Sequence, residues 1–100
     1  MNLTAAERDV LAERRRHLDV EGLSPKRDDA YVRGELAFAA AAYAMPTSCH
    51  AETWPYWWPW SPQWWKPQGG YRRNLVKAGA LILAEIERLD RAASGEKQAG

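Results

Sequence analysis

Six tryptophans fall between positions 54 and 65, and the chain has no other. Indole is a large flat apolar surface with a single N–H donor. Rings of this kind stack on planar ligands, and a stacked nucleobase is worth roughly 1–3 kcal/mol. Trp54, Trp57, Trp58, Trp60, Trp64 and Trp65 are therefore candidate ligand-stacking residues. The same rings could instead supply core to a small helical domain, and at least half of them are expected to do so. The adjacent pairs Trp57-Trp58 and Trp64-Trp65 cannot readily bury both members on one surface, so some rings should face a groove or a partner.

The tryptophans run into a positive stretch. From Thr53 to Ala84 there is no Asp or Glu, but there are Lys66, Arg72, Arg73 and Lys77. Arg72 and Arg73 stand near the predicted start of a helix, where free backbone N–H groups and the dipole favour anions. Guanidinium forks match phosphate oxygens. Lys66, Tyr71, Arg72, Arg73 and Lys77 thus join the tryptophans as a candidate site for a ligand with a flat ring and a phosphate. The plain alternative is a solvated basic helix face.

A second chemistry would use carboxylates. Glu21, Asp28, Asp29 and Glu35 could hold Mg²⁺, which takes oxygen ligands. Helix capping by Asp28 and Asp29 is the plainer role for those two. Glu35 opens an otherwise apolar helix. His17, Cys49 and His50 lack the spacing of a zinc site.

These residues must be positioned by helices, since no segment reads as a strand. Thr4-Ala-Ala-Glu7 has capping-box spacing with Leu3 as a staple, which predicts a helix from Thr4 to about Val20 or Glu21, stopped by Gly22. Its apolar side, Val10, Leu11 and Leu18, is narrow, and Arg14, Arg15 and Arg16 are expected in solvent. A loop through Ser24-Pro25 precedes a second helix, from Asp28 or Asp29 to about Ala44, ended by Met45-Pro46. Its alanine run, 39–42, would let a neighbouring backbone come close. Residues 46–70 form a long Trp/Pro segment, in which prolines 55, 59, 62 and 67 exclude a helix. A third helix spans about Tyr71 to Ala92. Leu75, Gly79, Ile82, Ile86 and Leu89 recur at 4-3-4-3 spacing, with Val76 and Leu83 widening the stripe, and Glu87 and Arg91 form an i,i+4 pair. The fold class expected is all-α: three helices in one domain, 1–92, with an insert at 46–70 and a disordered tail at 93–100.

Bulk properties bound the partners. One hundred residues make a thin core, for which oligomerisation is a common remedy. A net charge of +1, from 14 basic and 13 acidic residues, does not suit a binder of long nucleic acid. One cysteine fits a reducing cytoplasm. No signal peptide or membrane-spanning run is visible, and a membrane partner is not expected.

The order Glu13-Arg-Arg-Arg-His17, Glu21-Gly22, Asp28-Asp29, Gly34-Glu-Leu-Ala37, the Trp-Pro segment ending Trp-Trp-Lys-Pro67, then Arg73-Asn-Leu-Val-Lys-Ala-Gly-Ala-Leu-Ile-Leu-Ala-Glu-Ile-Glu-Arg-Leu-Asp90 resembles a group of small proteins encoded by tailed phages and prophages. The resemblance covers most of residues 7–91 and implies the cytoplasm of an infected bacterium. The last helix is also similar to that of MazG-like proteins, all-α nucleotide pyrophosphohydrolases that use Mg²⁺. Aligned by the apolar stripe, their Glu-x-x-Asp positions fall here on Asn74 and Lys77, where a lysine would attract phosphate rather than metal. No cofactor is then needed.

Three functions follow as expectations. The first is a homo-oligomer that binds a nucleotide-derived small molecule and holds it intact, most concretely a phage sponge for a host immune signal such as a cyclic nucleotide or cyclic ADP-ribose. The second is a Mg²⁺-dependent nucleotide hydrolase using Glu35 with Glu21, Asp28 or Asp29. The third is a protein-binding module with the tryptophans as its hot spot.

Overall fold

The computed structural model describes residues 2–19, 24–50 and 53–95, with backbone alone at Cys49 and His50. Every regular element among them is helical: α1 (Ala5–Asp19), α2 (Pro25–Asp28), α3 (Glu35–Ala44) and α4 (Gly70–Ser94), with 3-10 turns at Pro46–His50 and Pro62–Trp64. The all-α class thus stands, with four helical segments rather than three. The expected tail begins inside α4, whose last residue is Ser94 with Gly95 as its cap; residues 96–100 lie outside the described part. So do Val20, Glu21 and Gly22, where the end of the first helix was expected.

The capping box forms as its spacing predicts. The Thr4 amide donates to Glu7 Oε1 at 2.8 Å, and the Glu7 amide to Thr4 Oγ1 at 3.1 Å. The Thr4 amide first, and the Thr4 hydroxyl beside it, hold the Glu7 carboxyl below the usual carboxylate range. The loop expected through Ser24-Pro25 is instead the start of α2. The Ser24 side chain accepts from the Arg27 amide at 3.2 Å, with Pro25 at the first helical position. Asp28 closes this single turn, and α3 begins only after Gly34, at φ +83°. The helix expected from Asp28 or Asp29 therefore starts only at Glu35, after the left-handed backbone at Gly34. At the far end of the Trp/Pro segment, Gly69 (φ +105°) and Gly70 (φ +90°) turn the chain into α4.

The core lies between α3 and α4. Ala39, Ala40 and Ala42 of α3 meet Ala78, Leu81 and Ala84 of α4, with Leu36 and Tyr43 beside them. Small residues on both helices allow close approach, and Trp58 and Trp65 cover the seam. α1 packs along another side of α4, where Val10 occupies the space a Cβ at Gly79 would meet at 3.1 Å. α2 is tied to the end of α4 by Arg91, which donates to Asp29 Oδ1 at 3.0 Å and to the Pro25 carbonyl at 3.3 Å. That long-range pair replaces the expected Glu87–Arg91 contact, since Glu87 is drawn to Arg14.

The 4-3-4-3 stripe of α4 does not face the core. Leu75, Ile82, Ile86 and Leu89 are 40–52 % exposed, and the buried face is Asn74, Val76, Ala78, Ala80, Leu81, Ala84 and Arg88. Among the described residues no helix is long and apolar enough to cross a membrane.

Candidate functional site

α1 carries too little apolar surface to pack by burial alone, and its inward side is ionic. Glu13, Arg14 and His17 are buried, one turn of one face. Arg14 was expected in solvent; its guanidinium instead donates to Asp28 Oδ2 at 3.0 Å and lies 2.8 Å from Glu87 Oε1. Arg15 is exposed. Arg16 forks onto Glu13, with 3.0 and 2.6 Å contacts, and Arg73 of α4 reaches the same carboxylate. His17 Nε2 lies 3.3 Å from Glu13 Oε2. Burial pushes the Glu13 carboxyl up, but hydrogen bonds and charge from Arg16 and Arg73 outweigh it and hold the pKa at about 2. At Asp28 the balance reverses: burial raises its pKa more than Arg14 lowers it.

Opposite this ionic wall stands the Trp/Pro segment, with Tyr43 as its post. The Tyr43 hydroxyl donates to the Trp64 carbonyl at 3.4 Å and accepts from the Lys66 amide at 3.1 Å. Its ring stacks on Trp65 at 4.9 Å and meets the edge of Trp58 at 5.6 Å. Trp58 also meets Trp65 at 4.9 Å and Trp60 at 5.5 Å, both edge-on, and Trp60 leans on Tyr31 at 5.3 Å. Lys77 fastens the end of the segment, donating to the Lys66 and Gln68 carbonyls from above the Tyr43 ring.

Between the walls is a cleft of about 850 Å³, within the range of small-molecule sites. Tyr31, Tyr43, Trp58, Trp60 and Trp64 form its aromatic side. Six cations reach it (Arg14, Arg16, Arg27, Lys66, Arg73 and Lys77) against two carboxylates, Glu13 and Asp28. That excess contrasts with a whole-chain charge of +1.

Six of the sequence-predicted site residues line the cleft: Trp58, Trp60, Trp64, Lys66, Arg73 and Lys77. The other five do not. Trp65 is buried in the core, Trp57 packs near Phe38, and Trp54 and Tyr71 are exposed elsewhere. Arg72 turns outward to Asp9 at 2.8 Å. The acid-free stretch of sequence is not acid-free in space, because α1 brings Asp9 and Glu13 to the two arginines. Among the described residues Arg27 and Lys66 form no ion pair, Lys66 lying 5.7 Å from the Trp64 ring centre, while Lys77 is engaged by the Lys66 and Gln68 carbonyls.

The carboxylates expected for Mg²⁺ do not converge. Asp28 is held by Arg14, Asp29 by Arg91, and Glu35 accepts from the Arg33 amide at 2.7 Å. Glu21 lies outside the described residues. Among the described residues, no group of three or more His, Cys, Asp or Glu side chains is placed to hold a metal ion.

Glu13, Arg14, His17, Arg27 and Tyr31 were missed from the sequence as site residues. The available signal was the poverty of the α1 apolar face: a packed helix with so few apolar residues must turn polar ones inward. No protein-family model matches the chain, and neither a curated protein nor a solved structure matches it.

Proposed function

We propose that the cleft binds a nucleotide-derived small molecule and holds it without cleaving it. The observation that carries this reading is one cleft lined by five aromatic side chains and by six cations against two carboxylates. Aromatic faces favour a flat ring, and a concentrated positive field favours an anion. Trp58 and Tyr43 are committed to the core and serve as floor. Trp60, Tyr31 and the half-exposed Trp64 are the rings available to a base. Arg27 and Lys66 take the phosphate, since Arg14, Arg16 and Arg73 already serve carboxylates. The resemblance to phage-encoded proteins makes sequestration of a host immune signal, a cyclic nucleotide or cyclic ADP-ribose, the most concrete form of the proposal.

The test is a deplete-and-release assay. The protein is incubated with cyclic dinucleotides, cyclic ADP-ribose isomers and nucleoside triphosphates, filtered, and then heated. The expected result is a nucleotide that leaves solution and returns intact. Lys66→Ala and Arg27→Ala should each weaken its binding about tenfold, the ~1.4 kcal/mol of a lost charged hydrogen bond. Fragments in place of the intact nucleotide, lost with EDTA and with Glu35→Gln, would establish the Mg²⁺-dependent hydrolase instead.

A second reading rests on Tyr56, which is 96 % exposed at the tip of the Trp/Pro segment, with Trp54 near it in sequence and 45 % exposed. Aromatic residues so displayed suit a protein partner. No depletion of any nucleotide, together with a stoichiometric protein partner lost on Tyr56→Ala, would select it.

A further inference from the structure

Apart from Gly79, which Val10 of α1 covers, the apolar stripe of α4 faces away from the core. Tyr71, Leu75, Ile82, Ile86 and Leu89 are each between 40 and 52 % exposed. They run along a single helix for roughly 27 Å, at 1.5 Å per residue. Counted through Gly79, Leu75 to Leu89 keep the 4-3-4-3 spacing of the seam by which one helix meets another. A stripe of this kind usually packs inward. Here the inward side of α4 is taken by α3 and the tryptophans, so the large side chains of the stripe are left open among the described residues, with Gly79 alone covered, by Val10.

We propose that this face is a homodimer interface, in which α4 packs antiparallel against α4 of a second copy across a two-fold axis. Area, charge and position support that occupant. The five residues leave on the order of 400 Å² of apolar surface open, the size of the largest patch on a typical monomer, which is often functional. That is about half of the ~800 Å² each partner gives to a stable interface, and the polar residues beside the stripe supply the rim. A two-fold pairing needs only one such face, because the patch meets itself.

Charge selects the orientation. Beside the stripe α4 carries the exposed Arg72 near its start and the exposed Asp90 near its end; Arg73 and Lys77 face the cleft, and Glu85 and Glu87 are held by Arg88 and Arg14. Antiparallel packing lays Arg72 of each helix close to Asp90 of the other. It also sets Leu75 opposite Ile86 of the second copy. The exposed Arg72–Asp9 pair is weak enough to yield.

Position leaves the cleft open. Successive residues step about 100° around a helix, so Arg73, Lys77, Leu81 and Ala84, which line the cleft, lie on the opposite side of α4 from Leu75, Ile82 and Ile86. A dimer joined through the stripe carries two clefts facing outward, and its formation is independent of what they bind.

The test is the mass of the full chain in solution by sedimentation equilibrium. The expected result is twice the 11.4 kDa of one chain. The double variant Ile82→Glu/Ile86→Lys should return to one chain mass while keeping the amide-exchange protection of α3 and the inward side of α4. In a Cys49→Ser background, mixed Leu75→Cys and Ile86→Cys proteins should oxidise to the mixed disulfide in preference to either self-disulfide. A monomeric unaltered chain at high concentration, or a dimer that survives the double variant, overturns the proposal. Preferential self-disulfides at Leu75→Cys overturn the antiparallel arrangement.

Discussion

Arg14 spans three helices from a position 6 % exposed. Its guanidinium joins α1 to Asp28 of α2 and Glu87 of α4. Such a charge is inexpensive only while paired, because removing one partner strands the other away from water. Arg14→Met should therefore lower the unfolding free energy by about 3–5 kcal/mol, measured by urea denaturation at neutral pH. Asp28→Asn should cost less. The Asp28 pKa is already raised by burial, so its charged form is disfavoured in the fold at neutral pH, and a neutral side chain of the same shape relieves that penalty. The sequence disclosed the types of these residues but not their pairing. Arg72 and Arg73 read as free phosphate ligands because no acid was near them in the chain; their partners, Asp9 and Glu13, stand about sixty positions earlier.

At the scale of elements, signals held within one turn were legible, and those requiring a choice of partner were not. Thr4 and Glu7 define a capping box wherever they stand, and the box forms. Periodicity likewise marked α4 as a helix, but it says nothing about which side the rest of the molecule will take, and Val76, grouped with the stripe, is buried. That side was decided by Ala78 and Ala84, which make a shelf flat enough for α3 and the indoles. Trp bulk packs better against alanine than against a ridge of Leu and Ile, so the aliphatic stripe was left outside. Gly79 sits at the edge of that stripe, and its space is filled by Val10. Gly79→Leu should destabilise the protein by about 1–2 kcal/mol, the cost of overpacking reduced by the better helix propensity of leucine. A thermal melt would show a lowered Tm, and a gain in Tm would mean that α1 is free to shift.

For the molecule as a whole, much of what joins α1 to the remaining helices is ionic, so the assembly depends on pH. Glu13 is held at a pKa of about 2 by Arg16 and Arg73, below the ~4.3 of an unfolded glutamate. A depressed carboxylate contributes its full stability above the unfolded value and loses it as pH falls through the folded one. The unfolding free energy should therefore decline between pH ~4.3 and about 2. Glu13→Gln should be less stable at pH 7 but flatter across that window, as read from denaturant midpoints; parallel pH curves would remove Glu13 as the acid-sensitive link. The aromatic wall has a consequence of a different kind. Trp58, Trp60 and Trp65 lie within 4.9–5.5 Å of one another along the two Trp58 contacts, at steep ring angles. Transitions of indoles so close and so tilted mix, and their circular dichroism overlaps that of the helical backbone. The apparent helicity of this protein in the far ultraviolet will then carry an aromatic component, and a guest that shifts Trp60 will alter the spectrum without unwinding a single turn.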